Sequence, residues 1–155
     1  MATLPQLIEE DVQQLETILQ DLLDKSEATT ALIIDKGGFL IAHLGDDRRF
    51  DLTTISALAS GAYLANQTIA NLVHEPNFSS VYQQGEKFSL FVLSVDECCL
   101  LAVIFKAHLS VGLVKYFSAP AAQRIARPLP LVWAGLAPST ASALTRTTLP
   151  WTART

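Results

Sequence analysis

The stretch from Asp51 to Glu75, DLTTISALASGAYLANQTIANLVHE, is the longest in the chain with neither a proline nor a charge in its interior. Ile55, Leu58, Ala59, Ala62, Ala65, Ile69, Leu72 and Val73 recur there at three- and four-residue steps, the period of an amphipathic helix. The apolar stripe so formed predicts a long helix lying on a sheet. The other side carries Ser56, Ala57, Ser60, Gly61, Leu64, Gln67, Thr68 and Asn71 in place of the Lys and Glu of a solvated face. Small and uncharged residues of this kind suit close approach by another helix or another protein. Asp51 can accept an orphan backbone N–H at the helix start and favours its positive end. Pro76 is expected to close the helix, because the residue before a proline is pushed out of the α region.

The rest of the chain organises around this segment. Leu7, Ile8, Val12, Leu15, Ile18, Leu19, Leu22 and Leu23 mark a first amphipathic helix from about Pro5 to Asp24, with Thr3 and Gln6 at capping-box spacing. Thr29–Ile34 and Phe39–Leu44, joined by Asp35-Lys36-Gly37-Gly38, read as a β-hairpin. After Pro76, Phe78–Gln84, Phe88–Val95 and Cys98–Phe105 form a three-strand meander. Its first strand is polar and short, fit for an edge, and the last two are apolar enough to be covered on both faces. Ser110 can cap a last helix holding Val111, Val114, Phe117, Ala121 and Ile125, with a kink near Tyr116 or a restart at Ser118 expected from Pro120. Residues 1–127 thus form one domain. Residues 128–155 are rich in Pro, Thr and Ala, contain both tryptophans, Trp133 and Trp151, and read as a tail that is disordered or docks on the domain or a partner.

The formal net charge is -4 and no cluster of Lys or Arg occurs, so a nucleic-acid partner lacks its electrostatic footprint. The longest apolar run, Cys98–Phe105, is far short of the roughly 20 residues of a membrane-spanning helix. Acidic residues appear from Glu9 onward with no basic leader before them, which argues against a signal peptide and for a soluble, cytoplasmic protein. Cys98 and Cys99 are sequence neighbours on a strand, cannot easily pair with each other, and are expected to be core residues.

No catalytic constellation is visible. His43, His74 and His108 lie on three elements without metal-site spacing, and no nucleophile elbow, P-loop or dinucleotide fingerprint occurs. The carboxylates at Glu9, Glu10, Asp11 and at Asp46, Asp47, Asp51 read as solvated faces. No cofactor or metal is expected, and an enzyme is the least favoured class.

In this order and spacing, the hairpin ALIIDKGGFLIAH, the segment LTTISALASGAYLANQTIANLVHEPNFSSVYQQGE, and LLAVIF followed by SVGLVKYF make the chain resemble the roadblock/dynein light chain family. The likeness is greatest to its bacterial MglB-like members, regulators of Ras-like small GTPases, and it covers about Leu7 to Ala126. Pro120 departs from the unbroken last helix of that branch, and the tail has no counterpart there. The resemblance implies an α+β fold of order α-β-β-α-β-β-β-α. Its five-stranded antiparallel sheet carries the central helix on one face and the terminal helices on the other.

It also implies a homodimer with antiparallel central helices and joined edge strands. Ser56, Ala57, Ser60, Gly61, Phe78, Val81 and Tyr82 are its expected interface residues. The implied partner is an MglA-like Ras-like GTPase bound at its switch face, with Tyr63, Leu64, Gln67, Asn71, Arg48 and Arg49 as the expected contacts. Because the central helix has no Arg or Lys, ordering of the GTPase's own residues is favoured over an arginine finger from Arg48 or Arg49. The alternative is a light-chain-like dimerisation scaffold without effect on nucleotide turnover. A small-ligand sensor is the weaker third reading, since the strands offer no set of converging polar groups.

Overall fold

Seven consecutive apolar residues, Cys99 to Phe105, suit only a strand covered on both faces, and all seven are buried in β5 (Cys99–Lys106). The computed structural model describes residues 9–126, and within them β5 is the middle strand of the sheet. Around it stand α1 (Glu9–Ser26), β1 (Thr30–Asp35), β2 (Leu40–Gly45), α2 (Leu52–Leu72), β3 (Ser80–Gln83), β4 (Phe88–Ser94) and α3 (Val111–Ala126). The five strands lie in the order β2-β1-β5-β4-β3, and every pairing is antiparallel. The expected order of elements and the expected edge position of the short polar strand β3 are both observed.

Because successive side chains of a strand point to opposite faces, β1 and β5 feed two separate cores. Ala31, Ile33, Leu101, Val103 and Phe105 point to one face, where Leu15, Leu19 and Leu22 of α1 and Val114 and Ile125 of α3 close over them. Leu32, Ile34, Leu100, Ala102 and Ile104 point to the other, which α2 is the only described helix to cover, through Leu52, Ala59 and Tyr63. Arg124 and Lys25 both reach Asp21, tying α3 to α1 at 3.2 Å and adding an i,i+4 pair at 3.0 Å.

Two expectations change. Helix α3 runs unbroken from Val111 to Ala126 with Pro120 inside it, so Ser118 is a buried mid-helix residue and not the cap of a second helix. Pro120 lies on the exposed side, and the carbonyl it leaves without a donor, four residues back, belongs to the exposed Tyr116, where water can meet it. Helix α2 ends at Leu72, before the influence of Pro76, because His74 takes a left-handed conformation (φ 64°) that closes the last turn. The tail 128–155 with Trp133 and Trp151, and the first turn with Thr3, Pro5 and Gln6, lie outside the described residues.

Candidate functional site

Helix α2 starts where Asp51 accepts a hydrogen bond from the Thr54 N–H at 3.1 Å and another from its hydroxyl at 2.6 Å. The Thr54 hydroxyl, and then its N–H, hold the Asp51 carboxyl below the usual carboxylate range. From this fixed start the helix turns Leu52, Ser56, Ala59, Ser60, Tyr63 and Ala70 toward the sheet. The two serines can be buried because their hydroxyls are met: Ser56 donates to the Leu52 carbonyl at 2.7 Å and Ser60 to the Lys36 carbonyl. Tyr63, 5% exposed, donates its hydroxyl to the Phe78 carbonyl at 3.3 Å, and Lys36 Nζ lies 5.6 Å from the centre of its ring. The Lys36 ammonium is itself held by the Asp96 carbonyl at 2.6 Å.

This rotation corrects the expected placement. Most of the apolar stripe does not lie on the sheet: Ala59 and, in part, Ile55 face it, but Leu58 (68%), Leu72 (75%), Ile69 and Val73 are exposed, and Ala65 beside them is too. At about 100° per residue the stripe is turned roughly 120° from the sheet-facing line. Ser56 and Ser60, expected at a dimer interface, and Tyr63, expected at a GTPase contact, are instead packed inside the protomer and offer no surface. The physical reason is that hydroxyls bonded to backbone carbonyls and small side chains let the helix sit close to the sheet. The larger aliphatic groups are thereby left outward.

The remaining expected residues form the outer surface. Ala57, Gly61, Leu64 and Asn71 are exposed, and a Cβ at Gly61 would meet nothing within 4 Å. Gln67 is half-buried and donates to the Phe78 carbonyl at 3.2 Å. The two flanks of α2 face different neighbours. Ala57 stands against the β1–β2 turn, where Gly38 (φ 100°) passes so close that a Cβ would come 3.2 Å from the Ala57 Cα. On the other flank, Ile55 lines an apolar pocket of about 340 Å³ with Phe50, Phe88, Leu90, Ile104 and Gly85 of the β3–β4 connection.

The loop before α2 forms the rim of that pocket. Arg49 pairs with Asp46 at 3.2 Å and sits 5.9 Å over the Phe88 ring, whose edge meets Phe50 at 5.2 Å. The Arg48 side chain is exposed and makes no ion pair among the described residues. At the sheet edge, β3 pairs only with β4 among the described residues. Its Val81 packs under α2, its Tyr82 stacks on Phe105 from the opposite face at 6.1 Å, and Phe78 is half-buried just ahead of it.

Sequence reasoning missed Phe39, 62% exposed at the tip of the β1–β2 hairpin beside the Ala57 flank; as an apolar residue in a strand pattern it carried no sign of exposure. It also placed both cysteines in the core. Cys99 is buried, whereas Cys98 is exposed in the β4–β5 turn, where Asp96 accepts from both backbone N–H groups. Partial desolvation, with the Asp96 carboxylate, raises the Cys98 thiol pKa and disfavours the reactive thiolate. His74 and His108 are exposed, and His43 is half-buried with Nδ1 unmet among the described groups. Among the described residues no group of three or more His, Cys, Asp or Glu could hold a metal ion, and no helix is long and apolar enough to cross a membrane.

Residues 14–105 match the family model described as Roadblock/LC7 domain. Among solved structures, one described as MglB with tetrameric arrangement superposes with a TM-score of 0.77 at 29% identity, covering 81% of this chain and 95% of that one. The gliding protein MglB from Thermus thermophilus gives 0.74 at 30% identity over 79% and 93% of the two chains. Myxococcus xanthus MglB gives 0.71 at 26% identity over 76% and 95%. No curated protein matches the chain by sequence.

Proposed function

The chain belongs to the Roadblock/LC7 domain family, and on that premise we propose that it is a homodimeric regulator of a Ras-like small GTPase. In this reading it binds the switch face of an MglA-like GTPase and promotes GTP hydrolysis by ordering the GTPase's own residues, contributing no catalytic group. The observation that carries the reading is the outer surface of α2, which from Leu52 to Leu72 has no charged residue and exposes Leu58, Leu64, Ile69 and Leu72. A monomer in water gains nothing from such a surface, and contiguous exposed apolar area marks a contact site.

The two flanks divide the work. Leu58, Ala65, Ile69 and Leu72, on the flank of Ile55, take the place of Ser56 and Ser60 as the dimer contact, with Gly61 and the β3 edge (Val81, Tyr82, after Phe78) at its border, while Ala57 lies on the other flank. A short edge strand with unpaired backbone groups is suited to continuing the sheet into a second copy. Leu64 and Asn71, with Phe39 beyond and Gln67 below, form the GTPase contact in place of Tyr63, and Arg48 and Arg49 stand at its margin.

The test is a nucleotide-dependent pull-down with the Ras-like GTPases of the same organism, followed by single-turnover GTP hydrolysis. Retention of the GTP-bound form and faster hydrolysis are expected. Binding without any change in hydrolysis would leave a dimerisation scaffold. Arg48→Ala with Arg49→Ala separates the mechanisms: hydrolysis abolished with binding intact would mean an arginine finger in place of ordering.

A further inference from the structure

A second pocket, of about 400 Å³, lies at one end of the α2 face, at the lower end of the roughly 300–1,000 Å³ of ligand sites. Its polar groups come from α2 and from the connections between elements, not from the strands. Lys36, in the β1–β2 turn, is held there from both sides of its main chain: its N–H donates to the Cys98 carbonyl at 2.8 Å, and its carbonyl accepts from the Ser60 hydroxyl. Its ammonium donates to the Asp96 carbonyl at 2.6 Å and lies 5.6 Å from the centre of the Tyr63 ring. Among the described residues no carboxylate pairs with it. A half-buried ammonium so placed still has N–H donors to give, and an anionic oxygen is their best acceptor.

Gln67 supplies the opposite polarity. The Phe78 carbonyl accepts from the Tyr63 hydroxyl at 3.3 Å and from Gln67 Nε2 at 3.2 Å, which settles the two ends of the amide. Gln67 Oε1 is buried and meets no donor among the described residues. The terminal torsion of a glutamine is broad, and Tyr63 alone keeps the Phe78 carbonyl met, so Gln67 can turn Oε1 toward an N–H in the pocket at little cost.

The signs of the lining charges select the ligand class. Asp96 and the exposed Glu97 stand across from Lys36, so a simple anion would meet two carboxylates and a simple cation would meet the ammonium. A molecule with both charges meets each with its opposite. Leu64 and Phe78 complete the wall with apolar surface. We propose that this pocket binds a small zwitterion, an α-amino acid with an uncharged side chain. Its carboxylate lies on Lys36, its ammonium on Gln67 Oε1 and Glu97, and its side chain against Leu64 and Phe78. The site stands independently of the GTPase reading.

The test is titration of the full chain with each free L-amino acid of uncharged side chain, followed by calorimetry and by backbone amide spectra. At least one is expected to bind with a dissociation constant below about 1 mM and to move the amide signals of Lys36, Gln67 and Asp96. Its deaminated acid and its decarboxylated amine, added to the same unsubstituted chain, should each bind at least about tenfold more weakly, since each lacks one charge-assisted contact. Lys36→Met and Gln67→Leu should weaken binding by a similar factor, and Thr68→Ala, on the exposed side of α2, should not. No binding by any amino acid up to about 10 mM would overturn the site. Undiminished binding of the acid or the amine would overturn the zwitterion class, and undiminished binding by Lys36→Met and Gln67→Leu would place the ligand elsewhere. Should either variant fail to fold, the acid and amine arms and the shifted amide signals decide on the unsubstituted chain.

Discussion

The two faces of the sheet are built differently. On the α1 and α3 side, large aliphatic side chains from two helices meet Ile33, Leu101, Val103 and Phe105, and Leu15, Leu19 and Ile125 have no exposed area. On the α2 side a single helix lies close through Ser56, Ala59 and Ser60, and Phe88, Leu90 and Val81 stay only half-covered beside an open pocket. The first face is a finished core, stable by its own packing. The second is part of a core, and its uncovered aliphatic groups point away from the protomer toward whatever completes it. A sheet can thus serve two ends at once, because the alternation of strand side chains keeps its faces independent.

The largest expected effect lies on the finished face. Leu19→Ala should destabilise the protomer by about 3 kcal/mol through a cavity that two packed helices cannot close, read from the denaturant midpoint at any protein concentration. A loss below about 1 kcal/mol would erase the contrast between the faces. Tyr63→Ala comes next, at about 2 kcal/mol. It removes a buried ring and the hydroxyl donated to the Phe78 carbonyl, and so should lower the melting temperature as well as any partner binding. A variant with unchanged stability and selectively lost GTPase binding would instead return Tyr63 to the contact surface.

Leu64→Ala should be milder, weakening GTPase binding by about 1 kcal/mol, roughly fivefold, with dimer mass and melting temperature unchanged. A change in dimer mass would mean that the two flanks of α2 do not divide the contacts as described. The smallest effect belongs to Asp51. Its folded pKa is depressed, so its contribution is fully present above the unfolded value of about 3.9 and is lost as pH falls through the lower folded value. Asp51→Asn keeps a capping oxygen but does not titrate, and should flatten the acid-side loss of stability below about pH 4 while leaving neutral pH little changed. An unaltered acid limb would show that other carboxylates, Asp21 with its Lys25 and Arg124 partners among them, govern it.

Local chemistry alone determined most of the architecture. Asp51 marked the start of α2, the apolar run Cys98–Phe105 marked a strand covered twice, and the polar stretch Phe78–Gln84 marked an edge, observed as Ser80–Gln83, because capping, strand burial and edge exposure each leave a signature within a few residues. The family was legible for the same reason, from the order and spacing of those pieces. What the tertiary structure decided was which side of α2 faces in. Periodicity gives the angle of an apolar stripe around its helix, but it is blind to whether that stripe meets a sheet or a partner, since both remove it from water at similar gain. The choice depends on whether Ser60 finds the Lys36 carbonyl and Tyr63 finds that of Phe78, contacts between residues 24 and 15 positions apart that exist only once the hairpin and the edge strand are in place, whereas Ser56 bonds within its own helix.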